Sequence, residues 1–234
     1  MKFTDFVVDS NLHFGAFSSR KIKLSDGDGG NQIRLQIPRM YMPFGLSGFV
    51  PTEPNQQTKW NIEFALKGYT EKDNEVCNFY NFLLEIEKKT IEHICEHSVK
   101  IFGSKQSMSS LEKKFTSNMK KPSAIYEPKF RVKVDTDVAT EIPKPSIFNA
   151  DSKQMFEKAS NALYARTTGT SIVELDSVYF MNNKFGLVWK LHQLKVFEHD
   201  KRQKMGFQFE PEEEEPEEEP EEKSEFKGGK CMFV

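Results

Sequence analysis

From Lys59 to Lys67 apolar and polar residues alternate, with Ala65 the exception: Trp60, Ile62, Phe64 and Leu66 against Lys59, Asn61, Glu63 and Lys67. A period of two is the mark of a strand with one buried face. The same pattern appears at Ile33, Leu35 and Ile37 against Gln32, Arg34 and Gln36, and at Phe130, Val132 and Val134 against Lys129, Arg131 and Lys133. Upstream, Phe3, Phe6 and Val8 open a first strand, Phe14 and Phe17 flank Gly15, and Lys21 to Leu24 alternates. Ser25-Asp-Gly-Asp-Gly-Gly30 predicts a hairpin tip. The longest signal is Thr167 to Phe197, where Thr170–Phe180 is rich in β-branched and aromatic residues, Asn182-Asn-Lys-Phe-Gly186 reads as a turn, and Leu187–Phe197 returns as a second strand.

Between these strands the period changes. From Val76, apolar residues fall at Phe79, Tyr80, Leu83, Leu84, Ile91, Ile94, Cys95 and Val99, a helical stripe over about 74–102 that stops at Gly103. Residues 42–58 read as a loop, 104–124 as a short weak helix or loop, and 141–150 as a proline-broken connection. The sum is a mainly β chain: an OB-fold-like antiparallel barrel with one inserted helix, a small β-sandwich being the other architecture that such strands suit.

Charge divides the chain in two. Residues 210–225 read EPEEEEPEEEPEEKSE, and the last 25 residues hold eleven glutamates against Lys223, Lys227 and Lys230, about −8. The 209 residues before them hold 30 Lys and Arg against 24 Asp and Glu, about +6, so the net charge of −2 hides a basic body joined to an acidic arm. Like charges broken by prolines cannot bury apolar surface, which predicts a disordered tail over 210–234 after a body over 1–209. Three cysteines, Cys77, Cys95 and Cys231, form no CxxC pair and suggest a reducing, intracellular setting. The N-terminus lacks the apolar core of a signal peptide, and no run of 18 apolar residues offers a membrane span.

Catalytic motifs are missing from the sequence: GxxxxGK[ST], GxGxxG and GxSxG do not occur. His93-Ile-Cys-Glu-His97 spaces two histidines by one helical turn, but Glu96 stands where the HExxH base does not, and no neighbouring Cys/His pair completes four ligands, so no metal or other cofactor is expected. Cys231-Met-Phe-Val234 fits a prenylation box only formally, after an acidic stretch that an anionic leaflet would repel. Single-strand binding needs cations for phosphates and rings for bases. Candidate cations are Arg34, Arg39, Lys129, Arg131, Lys133, Lys190 and Lys195; candidate rings are Tyr41, Phe44, Phe49 and Trp189. Trp60, Phe64 and Phe130 are expected in the core. In the tail, Glu212, Glu213, Glu214, Glu215, Glu217, Glu218 and Glu219 followed by Phe233 suit a partner with a basic rim and an apolar pocket.

The segments MPFGLSGF (42–49), KWNIEFALKGY (59–69), the helix from Val76, the hairpin SIVELDSVYFMNNKFGLVWKLHQLKVF (171–197) and the acidic tail together resemble the replicative single-stranded DNA-binding proteins of the T-seven phage type, whose relatives occur in nucleocytoplasmic large DNA viruses. That family's tail ends at or next to an aromatic residue; here Phe233 is followed by Val234. The resemblance implies a non-enzymatic viral protein that coats single-stranded DNA without sequence preference in replication, recombination or repair. Its tail would occupy the groove when DNA is absent and recruit polymerase, helicase or primase when DNA displaces it. It further implies a homodimer as a candidate assembly, and host cytoplasm or nucleus as the place of action. The competing reading is an acidic-tailed chaperone or virion protein that binds basic proteins through the tail.

Overall fold

In the computed structural model, residues 1–27, 29–52, 56–120, 126–161 and 164–197 are described. The acidic arm 210–234, with the expectations placed on its glutamates and on Phe233, lies outside them. The strands are β1 (Leu12–Ser18), β2 (Lys21–Asp26), β3 (Ile33–Gln36), β4 (Met40–Met42), β5 (Leu46–Phe49), β6 (Lys59–Ala65), β7 (Phe115–Thr116), β8 (Met119–Lys120), β9 (Lys129–Val134), β10 (Ser146–Asn149), β11 (Thr167–Met181) and β12 (Lys184–Phe197). The helices are α1 (Val8–Asn11), α2 (Glu75–Glu96), α3 (Ser98–Phe102) and α4 (Met108–Lys114).

β11 and β12 form the long hairpin, paired from Thr168↔Phe197 to Met181↔Lys184. Their turn is Asn182–Asn183, both with positive φ of 50° and 59°, a backbone whose twist matches the flanking strands and that asparagine tolerates. Two register shifts, at Ile172/Val173 and Leu175/Ser177, are the bulges that let so long a ribbon curl. β4 pairs with β11, β6 with β4, β9 with β6, and β12 with β9, so the hairpin closes a five-stranded barrel. In chain order the ring is 1-2-3-5-4, a Greek-key barrel of the OB type. The ladder between β9 and β12 is parallel and reduces to one pair, Lys190↔Lys133, leaving a seam. β7 and β10 also run parallel to β12; the remaining ladders are antiparallel.

The inserted helix runs Glu75–Glu96, between the second and third barrel strands. The Asn74 side chain caps it by accepting from Val76 N at 2.9 Å. Its stripe, Phe79, Phe82, Leu83, Ile86, Ile91 and Ile94, is buried. Phe79 lies 5.5 Å from Phe130, which lies 5.4 Å from Trp189, so the helix plugs the barrel through one aromatic stack. Phe64, Phe79, Phe130, Phe185 and Trp189 are the largest fully buried rings, and Phe64 and Phe130 are core as expected.

Four expectations need correction. Phe3, Phe6 and Val8 do not open a strand: Phe3–Asp5 is a 3-10 turn and Val8 begins α1. Their spacing of three turns both rings to one side, where Phe3 meets Phe79 and Phe82 at 5.2 and 5.6 Å and Phe6 meets Phe82 at 6.1 Å. Ser25–Gly30 is closed by a single antiparallel bridge, Asp26↔Asn31, and not by a ladder between β2 and β3. β2, β3 and β4 instead lie end to end along β11, opposite residues 179–177, 175–172 and 169–167, so the glycine-rich stretch is an excursion from one interrupted strand. The true tight hairpin is Ser19–Arg20, between β1 and β2, with φ of 50° and 61°. The loop 42–58 contains β5, and the connection 141–150 contains β10.

Candidate functional site

The period-2 pattern of β6 and β9 decides which side chains face outward. Trp60↔Val134, Ile62↔Val132 and Phe64↔Phe130 point inward; Asn61↔Lys133, Glu63↔Arg131 and Ala65↔Lys129 point outward. Neighbouring strands extend that outer face in register. β8 sets Lys120 beside Lys129, β5 sets Phe49 beside Lys59 and Ser47 beside Asn61, and β4 sets Tyr41 beside Ala65. Phe44 arrives from the loop before β5, with the Lys129 amino group 4.3 Å from its ring centre, a cation–π pair. Tyr41, Phe44 and Phe49 are 38, 51 and 60% exposed, which makes them rings offered to solvent rather than core.

At the centre of this face Glu63 is 4% exposed. Its Oε1 accepts from Arg131 Nε at 3.0 Å and Nη2 at 2.7 Å and meets Lys120 Nζ at 2.6 Å; Lys129 Nζ lies 3.8 Å from Oε2. Burial pushes the Glu63 pKa up, but the hydrogen bonds from Lys120 and Arg131 outweigh it and hold the carboxyl below its usual range. One carboxylate therefore orders three cations and cancels only one of them. The surplus, with Lys59 and with Lys133 (itself 2.6 Å from Asp135), makes the face basic. Beside it, along the seam between β9 and β12, runs a cleft of about 450 Å³ walled by Phe49, Lys59, Trp60, Asn61, Asn118, Arg131, Lys133, Tyr179, Leu187, Val188 and Trp189. Asn118 Nδ2 donates to the Arg131 carbonyl at 3.3 Å, while its buried Oδ1 has no partner among the described residues.

Six of the residues singled out from sequence thus meet on one face: Tyr41, Phe44, Phe49, Lys129, Arg131 and Lys133. Arg39 prolongs it by one strand. Its Nε donates to Thr168 Oγ1 at 2.9 Å, next to Tyr41, and its guanidinium lies 3.9 Å from the Phe197 ring centre. Lys195 approaches the same ring at 5.6 Å. Lys190 adjoins Lys133 but is tied to Asp176 at 3.3 Å. Arg34, on β3, is paired with Glu174 at 3.2 Å and stands three strands on from Lys133, with β12 and β11 between them. Trp189 is the correction: at 2% exposure and edge-on to Phe130 it is core, so it has no open face for stacking. Lys59, Asn61, Asn118, Lys120 and Phe197 were not singled out. Lys59 and Asn61 were legible as a strand's polar side, whereas Lys120 and Asn118 sit in a stretch with no period to place them.

A second carboxylate braces the barrel behind this face. Asp176 bonds Lys21 Nζ at 2.8 Å and Ser177 Oγ at 2.7 Å. Burial raises its pKa, but the hydrogen bonds from Lys21 and Ser177 and the charges of Lys190 and Lys21 bring it down to about 2. A depressed folded-state pKa contributes stability that is present above the unfolded value of 3.8 and is lost as pH falls through the folded one. Chemical denaturation between pH 5 and 2 should therefore show the midpoint falling steeply from about pH 4 to about pH 2, and Asp176→Asn should flatten that part of the curve. An unchanged slope in the variant would rule out this account.

No protein-family model and no curated protein matches the chain. Among solved structures it is similar to the single-stranded DNA-binding protein from bacteriophage Enc34 in complex with ssDNA, at 11% identity and a TM-score of 0.38, over 81% of this chain and 96% of that one. It is also similar to gp2.5, a single-stranded DNA-binding protein encoded by bacteriophage T7, at 11% identity and a TM-score of 0.42, over 71% of this chain and 87% of that one. At TM-scores below 0.5, what this chain does has to be read from its own residues.

Proposed function

We propose that the barrel binds single-stranded DNA, without sequence preference, along the band from Phe49 and Lys59 through Lys133, Arg131 and Lys129 to Phe44 and Tyr41. The observation that carries this reading is the interleaving of exposed rings with cations on one sheet face, with Lys129 set against Phe44 at 4.3 Å. Every base has a π-face and every nucleotide a phosphate, so rings and cations bind any sequence. A role in replication, recombination or repair, the tail as competitor for the groove, and the recruitment of polymerase, helicase or primase through Glu212–Glu219 and Phe233 belong to the same proposal. Their support is the opposition of a body near +6 and an arm near −8.

Fluorescence titration of a labelled oligo-dT with the full chain, and with a chain ending at residue 209, tests it. Each neutralised phosphate on a single strand contributes about −0.7 to the slope of log K against log salt. Lys59, Lys120, Lys129, Arg131 and Lys133 together should thus give a slope of about −3.5. The shortened chain should bind more tightly at low salt and converge with the full chain as salt rises. Equal low-salt affinities would remove the competitor role while leaving the groove. Absence of binding by both chains would remove the reading itself.

A further inference from the structure

We propose that His93, Glu96 and His97, at the end of α2, form a binding site for a divalent transition-metal ion, with zinc the best chemical match. The three sit at i, i+3 and i+4, and their ligating atoms all lie within 4.8 Å of one another. Bonds of about 2.0–2.1 Å in a tetrahedral site place two ligating nitrogens about 3.3 Å apart. The side chains therefore need to close by no more than about 1.5 Å, and two of the three are exposed. Two imidazoles and one carboxylate are the donor set of open zinc sites, which keep a fourth position for water or a ligand. The sequence expectation of no metal rested on the lack of a HExxH base and of a fourth protein ligand. An open site needs neither, and the order H-x-x-E-H puts both histidines on one helix face.

Two features arrange these groups as ligands before any ion arrives. The His97 ring uses Nδ1 to bond the His93 carbonyl at 3.0 Å. Donation there fixes the tautomer and leaves Nε2 with its lone pair, the second contact that metal-bound histidines commonly make. The His93 ring is held in a stack, 4.0 Å from Phe14 on β1 and 4.3 Å from His97. Cys95 takes no part, because its Sγ donates to the Gln106 carbonyl at 3.5 Å. Lys100 shares the adjoining cleft of about 200 Å³ and opposes the ion, which favours a readily exchanged metal over a permanent one. Imidazole nitrogen selects zinc, nickel or copper over magnesium and calcium. Bound there, the ion cross-links the last turn of α2 with its capping residue His97, since all three ligands lie on that one segment.

The test uses the full reduced chain with excess Mg²⁺ to occupy the tail glutamates. Zinc is titrated against a chromophoric chelator, and Co²⁺ absorption in the visible reports the coordination. One equivalent should bind, with affinity lowered at least about tenfold by His97→Ala, lowered less by Glu96→Gln, and unchanged by Cys95→Ser. Circular dichroism of the exposed-site variants checks that the fold is kept. One-equivalent binding that survives His97→Ala, or no zinc binding by the wild type, overturns the proposal.

Discussion

Changing Tyr41, Phe44 and Phe49 together to alanine should lower affinity for oligo-dT by at least about a hundredfold and leave the melting temperature within a few degrees of wild type. Base–aromatic stacking is worth roughly 1–3 kcal/mol per base. Three rings at the lower bound give about 3 kcal/mol, and each 1.4 kcal/mol is a factor of ten. The fold should tolerate the change because the rings are already 38, 51 and 60% exposed. Within the protein the change removes the cation–π pair of Lys129 over Phe44, worth about 0.5–1 kcal/mol at an exposed site. Anisotropy titrations at several salt concentrations give the result its diagnostic form. Ring removal shifts the line of log K against log salt downward without changing its slope, whereas Lys133→Ala should make the slope shallower by about 0.7. A loss smaller than about threefold in the triple variant would show that the rings do not stack on bases.

That contrast also marks what could be read from the chain alone. The faces of β6 and β9 were legible because alternation assigns each residue a side without knowledge of any partner: Lys129, Arg131 and Lys133 had to share a face, and Phe64 and Phe130 had to oppose it. The long hairpin was legible because its strands and its turn are adjacent in sequence. What could not be read were pairings between distant segments. Nothing local in Glu63 tells that Arg131 will stand opposite it, and Lys120 is placed only by the two-residue β8. Trp189 shows the same limit differently. Its strand alternates as expected, but which of its two sides faces the barrel depends on where β12 meets β11 and β9, and the side bearing Trp189 faces inward onto Phe130. Phe3 and Phe6 misread as a strand because two rings spaced by three say little until α2 supplies Phe79 and Phe82 to receive them.

Glu63 turns that long-range pairing into a functional constraint. A face made only of cations would spread them by repulsion. A carboxylate at 4% exposure draws Lys120, Lys129 and Arg131 into fixed positions while cancelling one charge of three. Preorganised cations lose less side-chain freedom when a phosphate arrives. The acid thus serves the basic surface by shaping it.

Gly45 joins the fold to this face, and Gly45→Ala should destabilise the protein by about 2–4 kcal/mol while also weakening oligo-dT binding. Its φ is +59°, and a Cβ there would stand 2.5 Å from Ala165 N, 2.9 Å from the Tyr164 carbonyl carbon and 3.1 Å from Ala165 Cα. All three are backbone atoms in the segment that leads into β11. That segment is itself pinned, by Arg166 N donating to the Met42 carbonyl at 2.8 Å and by Thr167 Oγ1 donating to the Tyr164 carbonyl at 2.7 Å. The clash therefore cannot be relieved by a side-chain rotation. The loop before β5 has to lift, carrying Phe44 away from Lys129. Gly103→Ala separates the two contributions, since Gly103 has φ of +75° but nothing within 4 Å of its would-be Cβ. It should cost only the conformational term, about 1 kcal/mol. At roughly 2–4 °C per kcal/mol for a chain of this size, thermal melts should place Gly45→Ala several degrees below Gly103→Ala. Only the former should lose DNA affinity. Equal melting of the two variants would mean that the close approach at residues 164–165 does not hold the Phe44 loop in place.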